Sequence, residues 1–412
     1  MRTPAALLAL LATIACDGDP TGPGGGDPIT ELPRALSGVE QELITASNGF
    51  GMELMRRVVA EEDGPNVVLS PLSASIALGM ALNGAAGTTF DAMRETLGYG
   101  DLTQAEINAA YRELLDLLTG LDPTVEIGIA NSVWADEGFP FRQSFHDAVM
   151  AAFDARLETR DLQDPAAVTA INDWVAEATN GFIPTLLDRI DPEIVLFLVN
   201  AIYFDGSWTT RFDTDETVSA PFRRADGSDV TVDLMSLRQH VAPVHFGERY
   251  TAVELAYGGG AFGMVVVVPR GETTARELAA ELSAPWWEGL VDGLAEAEVD
   301  RIALPRFTLT WGTALNDALK AMGMEEAFTP GGADFTNLSP QGDQLFINRV
   351  MQKSFIEVDE AGTRAAAVTS VEFGVVSVPP QVVADRPFLF AIRDRISGTV
   401  LFTGLVGDPT AE

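Results

Sequence analysis

The side chains best suited to acid-base, nucleophilic or metal chemistry in this 412-residue chain are few: three histidines, His146, His240 and His245, and one cysteine, Cys16. A zinc site needs three or four ligands at recurring short spacings. His240 and His245, five residues apart with no cysteine nearby, do not supply them. No GxSxG, SxxK, HExxH or GxxxxGK[ST] pattern occurs. Gly258, Gly259 and Gly260 precede AFGMVVVVP and read as a loop entering a buried strand, whereas a dinucleotide site needs a strand first and a helix after. No catalytic residue, metal or cofactor is assigned, and a hydrolase would lack its nucleophile and base.

Cys16 belongs to a different chemistry. Arg2, an apolar run from Ala5 to Ala15, the small Ala15 and then Cys16 form an export signal. The run is shorter than the roughly 20 residues that cross a bilayer, and it resembles the lipobox of bacterial lipoproteins, whose cysteine is lipidated. Thr13 stands where Leu or Val is usual, so a non-lipidated secretory signal is the alternative. As the only cysteine, Cys16 has no internal disulfide partner, and a Gly, Pro and Asp tether follows it. The expected organisation is a lipoprotein-type signal peptide over 1–16, a tether over 17–37 and one large domain over 38–409. The product would be exported, either lipid-anchored to the cell envelope or secreted. Asp and Glu outnumber Lys and Arg by 60 to 26, a formal charge of -34. Such a surface repels nucleic acid, heparin-like polyanions and anionic lipid, so none is expected as a partner and membrane contact is expected only through the anchor.

The elements of the body are mixed. Gln41 to Val59 has helical apolar spacing, and a Ser-Pro entry opens an Ala-rich helix in NVVLSPLSASIALGMALNGAAG. Ala105 to Leu118, Ser144 to Phe153, Pro165 to Thr179 and LNDALKAMGM read as further helices. Glu126 to Trp134 reads as a strand. EIVLFLVNAIYFDGSW, FGMVVVVP and RIALPRFTL are apolar enough for strands buried on both faces. RPFLFAIRDRISGTVLFTGLVGDP reads as two strands around a Ser397-Gly398 turn. Helix and strand alternate without a βαβ rhythm, which is an α+β pattern.

GTRAAAVTSVEFGVVSVPP, residues 362 to 380, carries two signals. Its alanines favour helix, and its Val, Phe and Thr favour strand. At period 2, one face collects Thr363, Ala365, Ala367, Thr369, Val371 and Phe373, and the other takes Arg364, Ala366, Val368, Ser370 and Glu372. Both charges fall on one face. Gly374, Pro379 and Pro380 then end the pattern abruptly.

From about residue 38 to 409 the chain resembles a serpin. NVVLSPLSASIALGMALNGA, INDWVAEATNGFI, LVNAIYFDGSW, LPRFTL, VDEAGTRAAAVT, DRPFLFAIRD and LFTGLVGDP recur in the family's order. The resemblance implies a serpin fold of mixed helices with three β-sheets and an exposed reactive-centre loop. It implies a monomeric suicide inhibitor of serine proteases, with a non-inhibitory binding module or a cross-class inhibitor of cysteine proteases as alternatives. The opening stretch would then be a loop in one state and a central strand in another, its small face sliding between parting strands.

By the same resemblance, Glu360, Gly362, Thr363, Arg364, Ala365, Ala366 and Ala367 form the hinge, with Arg364 replacing an acid common in the family. The spacing from Gly362 to Pro387-Phe388 implies a reactive bond at Val376-Ser377, with cuts up to three residues earlier also open. A small β-branched Val376 suits an elastase-like protease. Ser70, Ser73 and Asn200 match the family's polar cluster beneath the opening strands, and Trp208 the aromatic where insertion begins. Gln352 replaces a frequent histidine, which would remove any pH sensitivity from that site. Ser236 stands where a basic residue often pairs with Glu360, which implies a looser top of the sheet.

Overall fold

The computed structural model describes residues 28–362 and 380–411. Its first part is helix-rich: α1 (Gly38–Glu61), β1 (Asn66–Leu69), α2 (Pro71–Leu82), α3 (Gly87–Thr96) and α4 (Gln104–Gly120). Then come β2 (Val125–Asp136), α5 (Gln143–Phe153), β3 (Arg156–Arg160), α6 (Pro165–Ala178) and β4 (Leu196–Gly206). The middle holds β5 (Val218–Arg223), β6 (Asp229–Phe246), β7 (Tyr250–Tyr257), β8 (Phe262–Pro269), α7 (Ala275–Ala279) and α8 (Ala284–Asp292). The last part holds β9 (Ala295–Pro305), β10 (Phe307–Ala314), α9 (Asn316–Leu319), β11 (Met351–Val358), β12 (Gln381–Val383), β13 (Phe388–Asp394) and β14 (Val400–Val406).

The helix starts are chemically specified. Ser37 with Glu40, and Thr103 with Glu106, form capping boxes on α1 and α4. Ser70 and Asp164 cap α2 and α6, each with proline in the first turn. α2 is buried almost throughout, since its sequence PLSASIALGMAL offers no polar face.

Among the described residues three hydrogen-bonded sheets result. The largest runs β1-β14-β13-β8-β7-β6-β9-β12, with β5 on β6; a three-stranded sheet runs β3-β2-β4; β10 and β11 pair alone. All of β8, β13 and β14 is buried, matching their apolar sequences. The turn between β13 and β14 holds Gly398 at φ +83. Two expectations need adjustment. RIALPRFTL is not one strand but the junction of β9 and β10, broken after Pro305, which has no N–H to continue the ladder. And β2 and β3 pair in parallel with α5 between them, so one βαβ unit is present.

Residues 28–37, within the stretch expected to be a tether, touch the body. Ile29 N donates to Gly259 O at 2.8 Å, and Arg34 bonds the buried Glu40 carboxylate. Among the described residues, no helix is long and apolar enough to cross a membrane.

Candidate functional site

β4 and β11 face each other across a divide. Among the described residues no ladder joins them, although their inner faces share the core around Ile202, Phe204, Ile356 and Val358. Among the described residues, backbone pairing links them at their C-terminal ends, through Gly362. After β11 the chain reverses over Glu360 and Ala361: Asp359 N donates to Gly362 O at 3.0 Å and Gly362 N to Asp359 O at 3.3 Å. Gly362 is also paired antiparallel with Ser207, just beyond β4. It therefore occupies the first position of a strand lying between β4 and β11. Only glycine fits there: φ is +129, and a Cβ would fall 2.4 Å from Gly206 O and 2.5 Å from Ser207 Cα.

Below this link the divide widens into a cavity of about 350 Å³, lined by Ser73 of α2, Leu198 and Asn200 of β4, and Gln352 of β11. The cavity explains the burial of β4. On the inner face Leu196, Leu198 and Asn200 stay half-buried beside it, whereas Ile202, Phe204 and Gly206 further along the same face are buried. Polar groups edge the cavity. Ser70 Oγ accepts from Ser73 N at 3.1 Å and donates to Leu401 O at 2.7 Å. Gln352 grips the Ser70 peptide at both ends, accepting from its N–H at 3.2 Å and donating to its carbonyl at 2.8 Å. A side-chain amide does both at once only because it carries a donor and an acceptor. Asn200 belongs to a separate chain of bonds: it donates to Asn131 Oδ1 at 2.7 Å, and Asn131 donates to Phe153 O at 2.7 Å. Asn200 Oδ1 and Ser354 Oγ are buried without a partner among the described residues.

At the top, Trp208 N donates to Ala361 O and its indole to Asp359 O, both at 2.9 Å. Its ring stacks on Tyr257 with centroids 4.2 Å apart. Burial pushes the Glu360 carboxyl up, but hydrogen bonds from Thr217 and Arg306 more than offset it, and its pKa lies below the ordinary range. Thr217 Oγ1 donates at 2.7 Å and Arg306 Nη2 at 2.6 Å. This corrects the expectation drawn from Ser236. Glu360 does have a basic partner, Arg306 from the β9–β10 junction, while Ser236 accepts from Arg301.

This architecture is shared with known proteins. A family model described as Serpin (serine protease inhibitor) matches residues 45–409. Human neuroserpin is 31% identical over 376 residues, covering 87% of this chain and 90% of its own length. An uncharacterized serpin-like protein of Thermococcus kodakarensis is 32% identical over 390 residues, 93% of this chain and 89% of its own. The chain belongs to the serpin family. Native tengpin, a thermophilic serpin, superposes on this serpin with TM-score 0.82 at 30% identity, over 93% of this chain and 97% of tengpin. Human thyroxine-binding globulin, solved as a complex with thyroxine, gives 0.83 at 25%, over 90% and 100%. The fold is the serpin fold, and the family is one of protease inhibitors.

The outer side of the divide is covered in this serpin by the segment after α6. The Phe182 ring lies 5.7 Å from that of Tyr203 on β4 and 5.5 Å from that of Phe355 on β11, and Lys353 Nζ donates to Thr185 O at 2.6 Å. Of the residues singled out in sequence, Ser70, Ser73, Asn200 and Gln352 gather at the cavity, although Asn200 bonds a different partner from the other three. Glu360, Gly362 and Trp208 meet at the top. Cys16, Thr363, Arg364, Ala365, Ala366, Ala367, Val376 and Ser377 lie outside the described residues. Sequence reasoning missed Arg306, Asn131 and Ser354, because each acts through a residue between about 50 and 70 positions away, or through none. The described residues contain no group of three or more His, Cys, Asp or Glu arranged to hold a metal.

Proposed function

We propose that this serpin is a suicide inhibitor of serine proteases, of elastase-like specificity, cleaved at Val376-Ser377. The observation that carries this reading is the parted pair β4 and β11 with Gly362 held between their ends, antiparallel to Asp359 on one side and Ser207 on the other. Gly362 takes the place of the first residue of a middle strand. The target serine attacks the Val376 carbonyl, forms an acyl-enzyme and releases the amine of Ser377. The freed hinge then continues the strand begun at Gly362. Each ladder hydrogen bond formed adds about 0.5 to 1.5 kcal/mol net, and among the described residues no ladder joins β4 to β11. The acylated protease is carried along with the strand, and the inhibitor is consumed. The side chains that enter the interior are the small ones, Thr363, Ala365 and Ala367, which pass between two strands without clashes.

The test uses protein lacking residues 1 to 37, mixed with an elastase-type protease and run on a denaturing gel after boiling. A band near the summed mass supports the reading, provided Thr363→Arg, which puts a charge on the inserting face, turns the inhibitor into a substrate. Undiminished inhibition by that variant counts against insertion. Sequencing of the released C-terminal fragment fixes the bond, and a start other than Ser377 refutes the register. Clean cleavage near Val376 with the protease left active means a substrate or the wrong protease, and no cleavage at all favours a binding module. Lipidation of Cys16 is proposed with it; equal fatty-acid labelling of wild type and Cys16→Ser would exclude an anchor there.

A further inference from the structure

One stripe of α2 is built from small residues. Ala74, Ala77, Leu78 and Ala81 recur at helical spacing and all line the cavity of about 350 Å³, so space that larger side chains would close stays open. The segment leading into β11 adds Leu345, Phe346 and Ile347 to the lining, three apolar side chains left only half-buried. Two charged residues line the cavity among the described ones: Glu193, which is exposed, and Arg349, two residues before β11. Arg349 Nε is buried without a hydrogen-bond partner, and no carboxylate among the described residues pairs with its guanidinium. In a chain with 60 acids to 26 Lys and Arg, where Arg34, Arg306 and Arg393 have each found a carboxylate, this is an unmet charge.

We propose that this cavity is a binding site for a small monocarboxylate with an apolar tail, its head on Arg349 and its tail along the alanine stripe of α2. A guanidinium presents parallel N–H donors that match the two oxygens of a carboxylate, and a partly buried charge is stabilised by the partner that Arg349 lacks. The walls argue for the tail, since an apolar ligand would take the half-buried Leu345, Phe346 and Ile347 side chains out of water. Glu193 argues for a single head group, because a second carboxylate would meet a like charge. At about 30 Å³ for each water-sized group, the space takes at least about ten heavy atoms, the size of octanoate. The chain's charge of -34 repels anions at long range, but that field is screened within about 8 Å at physiological ionic strength, and contact with Arg349 is not. The site does not depend on whether the chain inhibits a protease.

The experiment titrates octanoate into the full chain by calorimetry at physiological ionic strength, with octanol as the tail without the charge and octylamine as the opposite charge. Wild type, Arg349→Gln and Ala77→Leu are compared. Wild type is expected to take up one octanoate. Arg349→Gln is expected to weaken octanoate binding about ten- to hundredfold, the scale of a hydrogen bond to a charged group, and to leave octanol binding unchanged, which also shows that the variant is folded. Ala77→Leu fills the stripe and keeps the arginine, and it is expected to weaken both ligands. No saturable octanoate binding to wild type overturns the site. Equal octanoate affinity in wild type and Arg349→Gln, or octylamine binding as tightly as octanoate, overturns the role of the guanidinium. Octanoate affinity untouched by Ala77→Leu overturns the cavity as the place of binding.

Discussion

Gly362 is where the strand register is decided, and its requirement is steric. The left-handed φ of +129 and the contacts of 2.4 to 2.5 Å awaiting a Cβ make alanine a strained replacement, with backbone atoms on the receiving side that cannot yield. Gly362→Ala is expected to cost about 1 to 3 kcal/mol of native stability, read as a lower urea midpoint. Glu360 adds a pH-dependent part. Its folded pKa is lowered, so the stability it contributes is present above the ordinary glutamate value of about 4.3 and is lost as pH falls through the lowered one. Urea midpoints of wild type should therefore decline more steeply than those of Glu360→Gln below about pH 4. Parallel curves would show that the bond to Arg306 is not retained in solution. Gln352, by contrast, holds Ser70 with an amide that does not titrate, so no pH dependence near neutrality is expected from it.

At the scale of elements, α2 supports the cavity floor and is held at its first turn. Ser70 supplies the cap to Ser73 N and a bond to Leu401 O on β14, so it ties helix to strand as well as starting the helix. Ser70→Ala should cost about 1 to 3 kcal/mol, since the Leu401 carbonyl and the Ser73 N–H are left buried without partners. The same variant should speed the spontaneous loss of inhibitory activity on warming, because the support beneath β4 and β11 is weakened. An unchanged half-life of activity alongside a lowered urea midpoint would mean that α2 stabilises the molecule without governing the divide. The elements themselves were largely readable in sequence: α1, α2, α4, α5 and α6 fall within a few residues of where periodicity and capping signals place them. β9 and β10 were not separated, because periodicity alone does not register that Pro305 ends one ladder and Arg306 turns away toward Glu360.

For the whole molecule, the charge of -34 acts at long range. It should accelerate encounter with a basic protease and slow encounter with an acidic one, effects that span about 10 to 1000-fold at low salt. The association rate with a basic elastase-type enzyme should fall as sodium chloride is raised, while the inhibitor consumed per protease stays constant, since partitioning occurs after docking. A rate insensitive to salt would place the acidic surface away from the approach path.

Sequence by itself determined the family, the ordered segments, the glycine at 362 and the two-faced pattern of the stretch that follows. These are local: spacing, capping, alternation and turn chemistry are set by residues close in the chain. Only the tertiary structure decided that β4 and β11 stand apart among the described residues, and that Arg306 takes the place expected of a basic residue at 236. Those depend on residues from about 50 to 150 apart meeting across a sheet, and no local pattern encodes which partner a carboxylate or an open strand edge will find.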